Sequence, residues 1–409
     1  MTTENRLSKG ALASFIVAIG FYLYEFILQA APGVMQHELT SSLTLNSADL
    51  GWLTGCFYLP YALLQIPAGI ILDRISTRTW LVIVTLGFAL GTALFAIATN
   101  LTLASIGRLL MGACSAGAFI TILHIITHQF TPRYFTTLVG LAEMMGALGG
   151  IMSSALLAHL LQLFSWRTLH LIGATLGLFL ALFSYFTTST PKNQYHATKK
   201  TTIRTTLMEL LHSPSIWQIG GYSLFVWAPL IGLAFWGVPW LEAAYPHLPR
   251  TLLAKIVATV WLGQAGASLF WGWLSPNKKL LLTLMRTCAL AGAVISFCMI
   301  WFPLPLPIIA LCVFTIGVAS SAQALAFMLL PNYLPATSLS TANGINNMFI
   351  VCGGLLISPL IGWGLTQNLY PQMITNFRTV LLLLPLSYLI AALPLNTGST
   401  AASFTGRTP

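Results

Sequence analysis

Apolar residues dominate the chain in long runs, and twelve of these runs reach the ~20 residues a helix needs to cross a bilayer. They fall at residues 11–34, 48–71, 79–99, 101–126, 136–160 and 167–188, then at 215–241, 251–274, 280–302, 306–331, 341–366 and 376–395, numbered spans 1 to 12 below. The interruptions are short and polar: Arg74–Arg78, Asn100, Thr131–Arg133 and Leu274–Lys279. One longer polar insert, Thr187–Ser213, carries Lys192, Lys199, Lys200 and Arg204 and divides the chain almost at its middle. The pattern predicts an all-α membrane protein in two six-helix halves, residues 1–188 and 215–395, joined by a central loop over 189–214 and ending in a tail over 396–409.

Composition agrees. Of 409 residues 56% are apolar and 6% charged, with a mean hydropathy of +0.82, whereas soluble domains carry about 25% charged residues. The net charge of +10 forms no basic patch for nucleic acid; its residues sit in the short loops. With a cytoplasmic N-terminus, one side holds Arg6, Lys9, Arg74, Arg78, Arg133, Lys192, Lys199, Lys200, Arg204, Lys278, Lys279 and Arg407. The other holds only Arg167, Arg250, Lys255 and Arg378. The positive-inside rule therefore places both termini and the central loop in the cytoplasm. The first ten residues are polar and the apolar run after them is too long for a signal peptide, so no cleavable signal is expected. The six cysteines lie inside apolar runs without metal-ligand spacing and read as small buried hydrophobes, with no metal or cofactor implied.

A degenerate repeat relates the halves. A shift of 204 places Gly140, Gly149 and Gly150 on Gly344, Gly353 and Gly354, and Gly33-Val34 on Gly237-Val238. At 203, Gly69 meets Gly272. Parallel six-span repeats are a transporter architecture.

The loop Gly69-Ile-Ile-Leu-Asp73-Arg74-Ile-Ser-Thr-Arg78 resembles the Gly-x-x-x-Asp-Arg-x-Gly-x-Arg signature of the major facilitator superfamily. Ser76 stands where a glycine is usual, and Pro276 occupies the aspartate position in the second half. Arg108-Leu-Leu-Met-Gly112 in span 4 is similar to the family's Arg-x-x-x-Gly motif. Span 5 lacks the Gly-Pro pair associated with antiporters, which leans away from export. The stretch Phe21-Tyr-Leu-Tyr24-Glu25, running through Gln29 into Pro32-Gly-Val-Met35, resembles the phagosomal nutrient transporters of intracellular bacteria and the branch containing a lysosomal dipeptide carrier. The resemblance implies a monomeric, proton-coupled importer in a bacterial inner membrane, with amino acids, small peptides or nucleosides as cargo. A drug exporter or siderophore carrier on the same fold is the alternative, and a membrane-embedded transferase the remote one.

The candidate site residues follow from this frame. Gly69, Asp73, Arg74 and Arg78 form a gating loop that latches the halves in one state; simple snorkelling of interfacial charge is the plainer reading. Charges inside spans are costly and mark function. Glu25 lies roughly 20 Å into span 1 at ~1.5 Å per residue, with Arg108 in span 4 and Glu143 in span 5 at shallower depth. Glu25 or Glu143 is the protonatable group, since burial favours the neutral acid and a nearby arginine favours the carboxylate. A carboxylate-bearing substrate would compete for Arg108. A fixed ion pair between Arg108 and either acid is the competing structural reading. The family's architecture puts spans 1, 4, 7 and 10 around the cavity, which nominates Tyr24, Gln29, Arg108, Trp227 and Gln323 as lining. Span 11 adds Asn343, Asn346 and Asn347, the last matching Glu143 in the repeat. His124 and His128, one turn apart, read as an interfacial pair.

Overall fold

The computed structural model describes residues 9–72, 74–131, 134–188, 208–271, 278–334 and 339–393. Eleven helices in it are long and apolar enough to cross a membrane, and a twelfth crossing is the bent pair Ser47–Leu63 and Gln65–Leu72. The others are Gly10–Gly33, Thr77–Ala96, Leu101–Gln129, Thr137–Leu160 and Trp166–Thr187 in the first half of the chain. Pro214–Ala244, Arg250–Trp271, Lys278–Trp301, Leu306–Asn332, Thr341–Thr366 and Met373–Ala392 follow. No strand occurs among the described residues. In hydrocarbon a spanning segment must satisfy its own backbone, and the helix does so within one chain segment.

Helix starts follow their capping chemistry. Asn46 opens span 2 in a reciprocal capping box with Asp49, Asn100 opens span 4 by accepting from Leu103 N, and Ser165 opens span 6 by accepting from Thr168 N. Ser76, the departure from the loop signature, opens span 3 in the same way: its Oγ accepts from Thr79 N at 3.1 Å. Its φ of −66° is ordinary for any residue, so serine replaces glycine without strain. Breaks follow proline. Pro67 lacks an N–H for the Leu63 carbonyl, and span 2 bends by 46° at Leu64. Pro32 likewise ends the α-helix of span 1, which tightens into a 3-10 turn at Ala31–Gly33.

Contacts repeat across the chain. A methyl on Gly149 would lie 2.8 Å from the Leu23 carbonyl of span 1, and one on Gly353 2.6 Å from the Leu224 carbonyl of span 7. The next residue of each pair faces across to the other six spans: Gly150 packs on the Trp261 ring of span 8, and Gly354 on the Tyr58 ring of span 2. Gly112 of span 4 touches the Phe57 carbonyl, as Gly317 of span 10 touches that of Val260. Small residues at these crossings let backbones meet, because packing is the main force joining helices in lipid.

The two sets of six spans close together at the end where span 8 begins with Arg250. Gly51 and Gly362 bring spans 2 and 11 into backbone contact there, and Gly33 brings span 1 against Ala234 and Phe235 of span 7. A short helix missed by the hydropathy reading, Gln36–Leu43, crosses the same seam. Gln36 Nε2 donates to Phe235 O at 2.6 Å, and Glu38 meets Arg250 at 3.0 Å. Arg250 also pairs with Glu242 at 3.2 Å. At the opposite, Arg78 end the glycine contacts are looser: Gly221, Gly266 and Gly344 meet nothing within 4 Å and Gly69 meets only an Ile120 methyl at 3.9 Å, although the rings of Phe119 of span 4 and Phe327 of span 10 still meet there at 6.4 Å. The molecule is closed on the Arg250 face.

Two predictions follow from this packing. Gly112→Ala and Gly317→Ala place a methyl against backbone that cannot swing aside and should each cost about 1–3 kcal/mol, read as a lower thermal midpoint in detergent. Gly266→Ala and Gly344→Ala should leave that midpoint unchanged or slightly raised. Arg250→Gln removes the ion pairs that tie the short helix to spans 7 and 8. Spin labels at Ser41 and Leu252 should then report longer distances than in the parent, and an unchanged distribution would reduce the triad to local surface charge.

Candidate functional site

The site is built on the broken end of span 1. Because Pro32 has no N–H, the Leu28 carbonyl loses its helical donor, and the 3-10 turn that follows releases Gln29 O as well. Arg108, fully buried in span 4, supplies both replacements. Its Nη1 donates to Leu28 O and its Nη2 to Gln29 O, each at 3.2 Å. Its Nε reaches Leu53 O of span 2 at 3.3 Å. The guanidinium plane lies 4.6 Å over the Phe57 ring and 5.9 Å from that of Phe95, so aromatic faces cover what the carbonyls do not. The fork of five donors in one plane makes this possible; an ammonium has no such reach.

Two expectations about Arg108 change accordingly. It is fully buried and does not line the cleft, with three of its five N–H donors on backbone carbonyls, so it is not placed to meet a substrate carboxylate there. Nor does it form a fixed ion pair with Glu25: neither Glu25 oxygen has a hydrogen-bond partner, and the Arg108 bonds go to the Leu28, Gln29 and Leu53 carbonyls. Bracing span 1 is what its contacts show.

One turn before Gln29, Glu25 is fully buried and neither carboxyl oxygen has a hydrogen-bond partner. Ser115 and Arg108 lie within its electrostatic reach. Glu143 of span 5 keeps 8% exposure, and Tyr22 and Tyr61 lie within electrostatic reach of both acids. An ionised carboxylate without donors in such surroundings costs several kcal/mol, roughly 2.5 or more by insertion scales.

Next to the brace, between the two sets of spans, is a small cleft of about 20 Å³ lined by Gln29, Thr54, Tyr58, Ile231, Phe235 and Trp261, with Ala30 and Ala234. It sits directly under the closure made by Gly33 and Gln36. Tyr58 and Trp261 are counterparts in the repeat at a shift of 203, as are Ala30 and Ala234 at 204, so the cleft straddles the pseudo-twofold. Gln29 Nε2 donates to Tyr58 Oη at 2.7 Å. Its Oε1 and the indole N–H of Trp261 have no partner. Orphaned groups of this kind cost about 1–3 kcal/mol each until something satisfies them. The sequence reading missed Tyr58, Phe235 and Trp261, although the repeat shift pairs Tyr58 with Trp261.

The other nominated residues divide. Tyr24 is not in the cleft: its hydroxyl donates to Gly173 O of span 6 at 2.9 Å and its ring packs 5.3 Å from Phe88 of span 3, because it lies on the opposite side of span 1 from Gln29's partners. Trp227 is buried within span 7 and does not line the cleft. Gln323, at the helix break after Ala322, is buried with its Oε1 unpartnered. Asn346 Oδ1 accepts from Ser223 at 2.8 Å, which ties span 11 to span 7, while Asn343 Oδ1 and Asn347 Nδ2 have no partner. In the gating loop Asp73 lies outside the described residues and Arg74 is exposed. Arg78 donates from Nε to Thr188 O at 2.8 Å, capping the end of span 6 within its own six spans. His124 and His128 stack with centroids 4.1 Å apart.

Arg108→Lys keeps the charge but cannot serve three carbonyls. It should lower stability by about 1.5–3 kcal/mol, the scale of a hydrogen bond to a charged group, and reduce transport; an unchanged thermal midpoint would remove the brace from the account.

Comparison with known proteins agrees with this geometry. The chain is 25% identical over 383 residues to the inner membrane transport protein RhmT of Escherichia coli strain K12, spanning 86% of each. It is 27% identical over 169 residues to a D-galactonate transporter of Escherichia coli O6:H1, covering 41% of this chain and 38% of that one. In structure it is similar to the nucleoside transporter NupG, with a TM-score of 0.75 and 16% identity over 94% of this chain and 98% of that chain. The Major Facilitator Superfamily profile matches residues 10–359, and with the bundle, the cleft and these relatives it shows that the chain belongs to that superfamily as a multi-pass membrane transporter and not an enzyme.

Proposed function

We propose that the protein carries a small polar solute across a bacterial inner membrane by alternating access, coupled to protons, as a monomer working in the uptake direction. One observation carries the coupling: the Glu25 carboxyl is fully enclosed, has no hydrogen-bond donor, and stands one turn from Gln29 in the cleft. A proton removes the cost of enclosing it. Exposure of the same group to water in the alternate state restores the carboxylate, so proton release follows the conformational change. Glu143, one partner shell away and still partly exposed, is the second carboxyl on this route.

Coupling passes through Arg108. Its bonds to Leu28 O and Gln29 O tie span 4 to the helix that carries both Glu25 and the cleft-lining Gln29. In this reading residues 1–188 and 215–395 rock about the cleft, with both termini in the cytoplasm. The gating loop, whose Arg78 here bonds within its own half, closes the Arg78 end in the other state. The relatives are named for varied solutes, galactonate among them, which supports a solute carrier.

In reconstituted liposomes Glu25→Gln should abolish uphill uptake driven by a proton gradient while cargo exchange persists. Glu143→Gln should slow proton-driven uptake less severely. Uphill uptake at parental rate in the Glu25→Gln protein would sink the assignment.

A further inference from the structure

Two seams join the six-span sets, and the polar groups along them match. Spans 5 and 8 run antiparallel and are in register where Gly150 packs on the Trp261 ring. Two turns from there toward the Arg78 end, Glu143 of span 5 comes opposite Ser268 of span 8, because residues seven apart return to nearly the same helix face. A second contact holds this register: a methyl on Gly140, one turn before Glu143, would lie 3.8 Å from the Ser268 carbonyl. Spans 11 and 2 repeat the arrangement. Gly354 packs on the Tyr58 ring, and two turns along Asn347 comes opposite Gln65. Glu143 and Asn347 are equivalent at a shift of 204, and Gln65 and Ser268 at 203. All four side chains are more than nine-tenths buried. The Ser268 hydroxyl, the Asn347 amide nitrogen and both amide atoms of Gln65 have no hydrogen-bond partner. Each seam is a wedge that keeps its pair apart. Both are tight at Gly150 and Gly354, whereas Gly140 makes only an ordinary contact and Gly344 meets nothing within 4 Å.

We propose that Glu143 with Ser268 and Asn347 with Gln65 are paired latches that bond across the seams when the Arg78 end tightens, the first engaging only with Glu143 protonated. This rests on the alternating-access reading and deepens it. Glu143 becomes a positioning residue that admits the two sets to the alternate state, a task distinct from that of Glu25. Tightening the seam removes the 8% exposure that Glu143 keeps and leaves it a single hydroxyl. An ionised carboxylate is costly in that place, whereas the neutral acid donates its O–H to Ser268 Oγ. Asn347 donates from Nδ2 to Gln65 Oε1 at any pH, so one seam answers to protons and the other does not. The proton shifts the equilibrium because it binds the two states differently. Around Glu143, Tyr22 of span 1 and Tyr61 of span 2 lie within electrostatic reach, and both also feel Glu25. Span 4 carries His124 and His128, stacked on each other. The charged residues of span 8, Arg250 and Lys255, lie toward its other end.

Closure of the Arg78 end is read by distance. Spin labels at Thr127 and Asn332, exposed near the ends of spans 4 and 10, report the separation of the two sets in the full chain in lipid nanodiscs. A Glu25→Gln background removes that group's own pH dependence. The expected result is a short-distance population that grows as the pH falls from about 8 to about 5. Adding Glu143→Gln, whose amide donates to Ser268 without a proton, should make that population large at every pH. Ser268→Ala and Gln65→Leu each remove groups that are idle in the present state. They should leave the thermal midpoint in place or raise it, yet lower the ratio of short to long distances roughly three- to tenfold, one hydrogen bond's worth. A pH response that survives Glu143→Gln, as titration of the histidines would produce, overturns the proposal. Distances unchanged by both Ser268→Ala and Gln65→Leu also overturn it, as does the lack of a short population at any pH. Uptake does not enter this measurement: pH-dependent closure in a protein whose uphill uptake ignores the proton gradient would remove the coupling reading and leave the latches standing.

Discussion

Everything at the centre of this molecule depends on one constraint: in hydrocarbon a backbone group that loses its helical partner must find another inside the protein. Pro32 ends the α-helix of span 1 and strands the Leu28 and Gln29 carbonyls. Arg108 meets both and adds Leu53 from span 2. A charged side chain at this depth is costly alone, but here the broken helix and the buried cation satisfy each other.

The N-terminal six spans hold the buried acids and the cation that organises them. The cleft between the two sets of spans is lined by neutral side chains, three of them aromatic. The pseudo-symmetry of the contacts gives the cleft its form. Tyr58 and Trp261 are equivalent positions, each seated on a glycine of the other six spans, Gly354 and Gly150. A methyl at either glycine would push an aromatic wall into the cavity. The same chain therefore uses glycine in two ways. At the Arg250 end Gly33, Gly51 and Gly362 are filled contacts, whereas at the Arg78 end Gly69, Gly266 and Gly344 stand open.

Much of the architecture was legible along the chain because the membrane imposes a length and a polarity that local sequence must obey. Twelve apolar runs correspond to the observed crossings within a few residues, and Asn46, Ser76, Asn100 and Ser165 start their helices by ordinary capping. The short helix Gln36–Leu43 was not legible, since it is polar and lies outside any apolar run. The site was partly legible. Glu25, Arg108 and Gln29 stood out because charge and amide groups inside an apolar run are conspicuous. Tyr24 was nominated beside them and packs elsewhere, its hydroxyl on Gly173 O, because five residues along a helix turn it about 140° away from Gln29.

By itself the sequence determined the number of crossings, the repeat, the proline breaks and the presence of three buried charges, since each follows from local composition and the solvent it must face. Only the tertiary structure decided what those charges do. The partners of Arg108 lie 55, 79 and 80 residues away in the chain, and no spacing rule connects a guanidinium in span 4 to carbonyls freed by a proline in span 1. The cleft, likewise, exists only where spans 1, 2, 7 and 8 meet.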